Sequence, residues 1–217
     1  MVHTTLDILK KYKIIAIIRG IPPDQLLPLT DALRAGGIRM VEVTFDQTDP
    51  SCGSAAAIRH IASNFPDLHV GAGTVMTSEQ VRLAHEAGAQ YIISPNVCQD
   101  VIQAAKERNM LSLPGAFTPT EIACAHRLGA DAVKVFPAGE LGPSYIKAVR
   151  APLKQIPLVA VGGVSEHNIK DFLDAGAIAA GVGGSLVNAD WIKQGAFAQI
   201  THLAQKFVTA CQTGGSI

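Results

Sequence analysis

The chain has 217 residues, 48% of them hydrophobic and 17% charged, and its 18 Lys and Arg balance its 18 Asp and Glu. That length is enough for one domain with a substantial core, read here as residues 1–217. A neutral chain with no basic run excludes an electrostatic footprint for nucleic acid or an anionic membrane, and no stretch nears the ~18 apolar residues of a membrane span. The N-terminal MVHTTLDILKKYK lacks the apolar core of a signal peptide, and Cys52, Cys98, Cys124 and Cys211 are scattered. Both features suit a cytoplasmic protein with reduced thiols. The seven histidines show no HxxxH or HExxH spacing, so no metal site is expected.

In chain order, the first strand-like run is IIAIIR (14–19), and the helical pattern after it ends at RAGGIRM (34–40). MVEVTF (40–45) and HVGAGT (69–74) are the second and third strands. Thr77-Ser78-Glu79 signals a helix start, and EAGAQYI (86–92) leads from that helix into the fourth strand, YIISP (91–95). LSLPGA (111–116) is the fifth, followed by the helix start Thr118-Pro119-Thr120-Glu121. RLGADAV (127–133) leads into AVKVFP (132–137), the sixth. LVAVGG (158–163) precedes a helix expected at Ser165-Glu166, and DAGAIAA (174–180) leads into the eighth strand, IAAGVGG (178–184).

Gly36, Gly88, Gly129 and Gly176 each stand where a helical pattern gives way to a strand, the usual place of a left-handed cap. Their spacings of 52, 41 and 47 residues each hold about two βα units, which need roughly 20 to 30 residues apiece. The strands are apolar almost throughout, as parallel strands covered on both faces must be. Eight such units predict a (β/α)8 TIM barrel. The alternative, an open doubly wound sheet, is disfavoured because VGAGT fits the GxGxxG fingerprint poorly.

Alternation along the strands assigns directions. Lys134 shares a face with Ala132 and Phe136, and Glu42 with Met40 and Thr44. Arg19 ends the face of Ile15 and Ile17, and Thr74 follows Ala72. The simplest registration turns all these polar groups into the barrel's carboxyl half, where this fold builds active sites. A buried structural ion pair between Glu42 and Lys134 is the other reading. A desolvated lysine is more often the neutral amine that attacks a carbonyl to form a Schiff base, and a carboxylate across the cavity can carry the protons. That pair suffices for a cofactor-independent aldolase. VGGVS (161–165) and GVGGSL (181–186) close strands seven and eight, where this fold commonly binds phosphate through backbone N–H groups and a helix N-terminus. The glycines could also serve only as turn formers.

The segments IIRG, AGGIRMVEVT, VGAGTV, GAQYIISP, LPGAFTPTE, VKVFPA, VGGVS and GVGGSLV, in this order, resemble the class I aldolases acting on 2-keto-3-deoxy-6-phosphogluconate and 4-hydroxy-2-oxoglutarate. The resemblance implies that Lys134 forms the Schiff base, Glu42 transfers protons, Thr74 holds the pyruvate part and Phe136 packs beside the imine. It places the phosphate at Gly162, Gly163, Gly184 and Ser185, counts Thr44 and Pro95 among the substrate-binding positions, and implies a homotrimer that needs no cofactor. Gluconate-type members usually carry an arginine where this chain has Asp46, so Arg19 is expected to meet the substrate carboxylate instead. The related phosphogalactonate aldolases also lack that arginine, and GPSYIKA resembles their sequence. The expected reaction is cleavage of a 2-keto-3-deoxy-6-phospho sugar acid, of gluconate or galactonate type, to pyruvate and glyceraldehyde 3-phosphate. The alternatives are a 4-hydroxy-2-oxoglutarate aldolase, a phosphosugar isomerase or epimerase, and a barrel that binds a phospholigand without turning it over.

Overall fold

A computed structural model of the chain describes residues 2–48 and 53–212; Cys52 lies outside them. Its strands are β1 (Ile14–Ile18), β2 (Met40–Thr44), β3 (His69–Gly73), β4 (Tyr91–Ile93), β5 (Leu111–Leu113), β6 (Gly115–Ala116), β7 (Val133–Val135), β8 (Leu158–Val161) and β9 (Ala179–Val182). All pairings are parallel, in the order β5-β4-β3-β2-β1-β9-β8-β7-β6. The two end strands are halves of LSLPGA, parted at Pro114, which has no N–H to give a ladder. The Pro114 carbonyl accepts the Lys134 N–H at 2.9 Å, and the Ser94 N–H reaches Leu113 O at 3.3 Å. One strand position therefore carries both ends of the sheet, and the ring closes as a (β/α)8 TIM-type barrel.

The strand faces sort the buried side chains into two separate clusters. Ile15, Met40, Tyr91, Leu111 and Val159 fill the barrel interior, while Ile14, Ala16, Val41, Val133 and Ala160 join the layer under the helices. Helix α1 (Val2–Tyr12), which the strand count does not require, packs Leu9 into the interior cluster and contacts β5 and β9. In register, Ile15 sits opposite Met40, and Ile17 opposite Glu42. The polar pair therefore lies one inward step above an apolar layer, on the side away from α1.

Two helix starts form as the sequence implies. Thr77 accepts the Gln80 N–H at 3.2 Å, and Thr118 makes a reciprocal capping box with Glu121. The third start does not form at Ser165-Glu166. The Asn168 side chain accepts the Ser165 N–H at 2.8 Å and donates to Gly163 O at 2.9 Å, and this turn delays the helix to Ile169. Such local side-chain bonds compete with helix initiation.

Three of the four predicted caps, Gly88, Gly129 and Gly176, have φ near +100° (96°, 98° and 106°), but Gly36 is right-handed at φ −75° and Gly37 takes the left-handed place at 95°. Gly36 has a different reason to be glycine. A Cβ there would stand 2.4 Å from the Ala204 Cβ and 2.8 Å from Thr201 O, where the C-terminal helix (Phe197–Gln212) crosses the end of Pro23–Ala35. Thr201 also donates to Ala32 O at 3.0 Å across this crossing. Gly36→Ala should therefore act as overpacking and cost about 1–3 kcal/mol in a denaturant melt. An unchanged midpoint would show that the crossing has room to give.

Candidate active site

Lys134 is 6% exposed and Glu42 1%, and each is inward-facing on a short apolar strand. Burial pushes the Glu42 carboxyl up, against the opposing charges of Lys134 and Arg19. Burial likewise pushes the Lys134 amine down; Glu42 works against that shift and Arg19 adds to it. Both groups thus move toward their neutral forms, as desolvation requires. Among the described residues no ion pair joins them, and Glu42 Oε2 is buried without a hydrogen-bond partner. An unsatisfied buried polar group costs about 1–3 kcal/mol. The structural ion pair that the sequence left open is therefore not what forms; two desolvated groups of opposite kind are buried in one barrel interior.

Lys134 Nζ lies 4.6 Å from the centroid of the Phe136 ring, which is itself 40% exposed. The same ring borders the glycine loop after β8, since a Cβ on Gly162 would meet it at 3.2 Å. Amine, aromatic ring and loop are contiguous. Arg19 is exposed just past the end of β1, where its charge acts on both Glu42 and Lys134. Thr44 is 7% exposed at the end of β2. Pro95 is half-buried after β4, and its carbonyl lies so near β6 that a Cβ on Gly115 would meet it at 2.4 Å. A cavity of about 690 Å³ is lined by Arg19, Thr44, Asp46, Gln47 and Thr74, among others; Lys134 and Glu42 are not in its described lining.

Thr74 reaches that cavity by a route that alternation did not foresee. Ala72, expected to point inward with it, belongs to the outer cluster, and the glycines Gly71 and Gly73 face inward instead. Thr74 lies past the strand end at φ 54°, and a left-handed residue breaks the alternation that strand geometry imposes. Gln47 donates to its carbonyl at 2.7 Å. Asp46 accepts from the Thr48 N–H at 2.8 Å and from its hydroxyl at 2.7 Å, a local turn.

The two glycine pairs differ. Gly162 and Gly163 have φ of 88° and 72°, and Gly139 donates to Gly162 O at 2.7 Å, so the turn itself calls for glycine. Gly183 and Gly184 have no positive φ, and a Cβ on either would meet nothing within 4 Å. Turn formation explains the first pair and leaves the second unexplained. Ser185 Oγ donates to Val164 O and ties the two loops together. No described helix begins directly at either loop: Ile169–Asp174 and Ala189–Lys193 start several residues later.

One member of the site was not legible in advance. Tyr91 is fully buried level with Glu42, through the register Glu42 to Gly71 to Tyr91, and its hydroxyl donates to Val41 O at 2.6 Å. Its phenol is held well above the ordinary value by burial, and by the charge of Glu42. A tyrosine in an apolar run reads as core, and only the bare neighbour Gly71 hinted at room for its ring.

The family described as "Aldolase: KDPG and KHG aldolase" matches residues 6–203. The chain is 38% identical over 174 residues to the probable 2-dehydro-3-deoxy-6-phosphogalactonate aldolase of Rhizobium meliloti (strain 1021), covering 80% of this chain and 81% of that one. It is 34% identical over 212 residues to the 2-dehydro-3-deoxy-phosphogluconate aldolase of Haemophilus influenzae, covering 96% and 98%. The solved structure titled "Native KDPGal structure" superposes with a TM-score of 0.82 at 37% identity, over 92% of this chain and 94% of that one. A KDPG aldolase from Legionella pneumophila, with pyruvate captured as a covalent carbinolamine, superposes with a TM-score of 0.83 at 28% identity, over 91% and 95%.

The raised Glu42 carboxyl has a consequence for stability. A carboxyl whose folded-state value lies above the unfolded 4.5 favours folding only while protonated, and that contribution is lost as pH rises through the folded value. Glu42→Gln, neutral at every pH, should therefore melt higher than wild type at pH 7. The gain should shrink to nothing as pH falls below the ordinary carboxyl value. A lower melting temperature at pH 7 would instead mark Glu42 as a structural counter-ion.

Proposed function

Because the chain belongs to the KDPG and KHG aldolase family, we propose that Lys134 is its Schiff-base lysine and Glu42 its proton carrier. The observation that carries this reading is the buried Lys134 amine, pushed down by desolvation and held in no ion pair among the described residues. The neutral amine attacks the C2 carbonyl of a 2-keto-3-deoxy acid, and the carbinolamine loses water to become an imine. As the C4 hydroxyl gives up its proton, the C3–C4 bond breaks, and its electron pair moves into the imine as an enamine while an aldehyde leaves. Protonation at C3 and hydrolysis then free pyruvate and regenerate the amine. Glu42, already shifted toward its protonated form, is suited to pass these protons in both directions.

Arg19 supplies positive charge near both groups and is read as the partner of the substrate carboxylate. Thr44, Thr74 and Pro95 border the pyruvate end, and Phe136 covers the imine. The far end of the substrate is a phosphate, held at Gly162, Gly163, Gly184 and Ser185. What supports the phosphate reading is that Gly183 and Gly184 leave backbone open where neither packing nor φ demands it. The substrate class is therefore a 2-keto-3-deoxy-6-phospho sugar acid of gluconate or galactonate configuration, in line with the names of the relatives. The aldehyde released is glyceraldehyde 3-phosphate. No described helix is long and apolar enough to cross a membrane. The homotrimer rests on the family resemblance, and the cytoplasmic location on the scattered cysteines.

Borohydride with pyruvate should reduce an imine onto Lys134, while Lys147, exposed on a helix, stays unmodified by peptide mapping. An adduct confined to Lys147, or none, would end the Schiff-base reading. Glu42→Gln should lower turnover per folded molecule about 10²–10⁴-fold, the usual worth of general acid–base catalysis.

For the phosphate, Gly184→Asp is the informative variant, because its side chain enters open space, whereas any residue at Gly163 would press on Gly139, 2.8 Å away. The phosphorylated acid should outrun 4-hydroxy-2-oxoglutarate at least tenfold in kcat/KM, since one charge-assisted hydrogen bond is worth about 1.5–3 kcal/mol. Gly184→Asp should erase that margin and leave the unphosphorylated substrate unaffected. Equal kcat/KM for the two acids in the wild type would remove the phosphate site.

A further inference from the structure

Gly73 is an inward-facing position at the barrel mouth whose side chain is missing for an identifiable reason. Its φ lies outside the left-handed region, so its backbone conformation is open to any residue, and the left-handed turn falls one residue later, at Thr74. A Cβ built on Gly73 would stand 1.6 Å from Glu42 Oε1, 2.3 Å from its Cδ and 2.6 Å from its Cγ. All three nearest atoms belong to that one side chain. β2 and β3 pair so that Thr44 is opposite Gly73 and Glu42 opposite Gly71. The Glu42 side chain thus leans along its neighbour strand, past Gly71 and over Gly73, and its end occupies the volume a side chain there would take. Among the described residues the carboxylate has no ion pair, and its Oε2 has no hydrogen-bond partner.

We propose that Gly73 is a positioning residue for proton transfer: the bare backbone at 73 is the seat that decides where the Glu42 carboxylate stands relative to Lys134. The inference rests on the reading of Glu42 as the proton carrier. With a methyl on residue 73 the carboxylate must swing off that seat, while Lys134, on the far side of the ring in β7, keeps its own surroundings. Imine formation and proton transfer should therefore separate.

The measurement is exchange of the pyruvate methyl hydrogens with D₂O, followed by NMR, beside borohydride trapping of the imine. Gly73→Ala should slow exchange at least tenfold per trapped imine. In a Glu42→Gln background, which keeps the steric contact but has no base, Gly73→Ala should change exchange less than twofold. Exchange by Gly73→Ala at the wild-type rate would overturn the inference, as would an equal loss in both backgrounds, which is what a merely disturbed fold would give. Normal exchange by Glu42→Gln alone would instead overturn the role of Glu42, so the two failures are distinguishable.

If Gly73→Ala does not fold, the shorter side chain of Glu42→Ala removes the contact, and the seat can be probed with formate. Formate should restore exchange in Glu42→Ala at least tenfold better than in Glu42→Ala/Gly73→Ala, where the methyl fills the seat. An equal response in the two, including none in either, would overturn the proposal.

Discussion

The chemistry proposed for this protein depends on one constraint: two ionisable groups are held out of water in the same barrel and not allowed to neutralise each other. Had Lys134 and Glu42 met in a direct pair, each would have stabilised the charged form of the other, giving a lysine too protonated to attack and a carboxylate too weak a base to take up a proton. Kept apart, each is governed first by desolvation and only second by its partner, so both shift toward neutrality. The exposed Arg19 tunes this balance, easing Glu42 toward its charged form and Lys134 toward its neutral one. Stability gains nothing from the arrangement, which is the usual mark of residues retained for reaction.

The barrel is what makes that separation possible. Its parallel register fixes the height of every inward side chain, and β2 and β7 lie far enough apart around the ring that their side chains approach across the interior. Below them, Leu9 from α1 and the layer containing Ile15, Met40 and Ala132 close the interior to water. Above them, Phe136 half-covers the amine while staying exposed itself. Water is thus shut out from one side and admitted from the other, which suits the Schiff-base role proposed for Lys134.

What the sequence revealed of this was decided by local rules of different reach. Alternation located Lys134, Glu42 and Arg19 because β1, β2 and β7 are regular strands whose inward layer is otherwise apolar. It brought Thr74 to the mouth by the wrong route, because a single left-handed residue at the strand end resets the direction of the chain, and no motif announces a threonine with φ of 54°. Threonine and glutamate at fixed spacing gave two helix starts, since those bonds are made within four residues. Ser165-Glu166 failed because Asn168, three residues on, offers the backbone a competing turn. Gly36 was misjudged for the opposite reason: what excludes a side chain there is Ala204, far away in sequence. Signals carried by a regular local motif were readable; a competing local turn, a left-handed residue and contacts made by the fold were not.

Glycine shows this limit most clearly, because the one residue type answers three different physical demands that look alike in a sequence. At Gly162 and Gly163 the backbone takes a left-handed conformation that a side chain would strain. At Gly73 the conformation is ordinary and the demand is for space, set by a carboxylate on the neighbouring strand. At Gly183 and Gly184 neither demand exists, and what glycine adds is access to the backbone from outside. The sequence runs VGAGT, VGGVS and GVGGS differ little, yet the reasons against substitution are separate: internal contact in the first, conformation in the second, and in the third only the ligand proposed to bind there. A glycine that neither φ nor packing explains is therefore the most informative of the three, since the remaining reason for its bareness must come from something that approaches the protein.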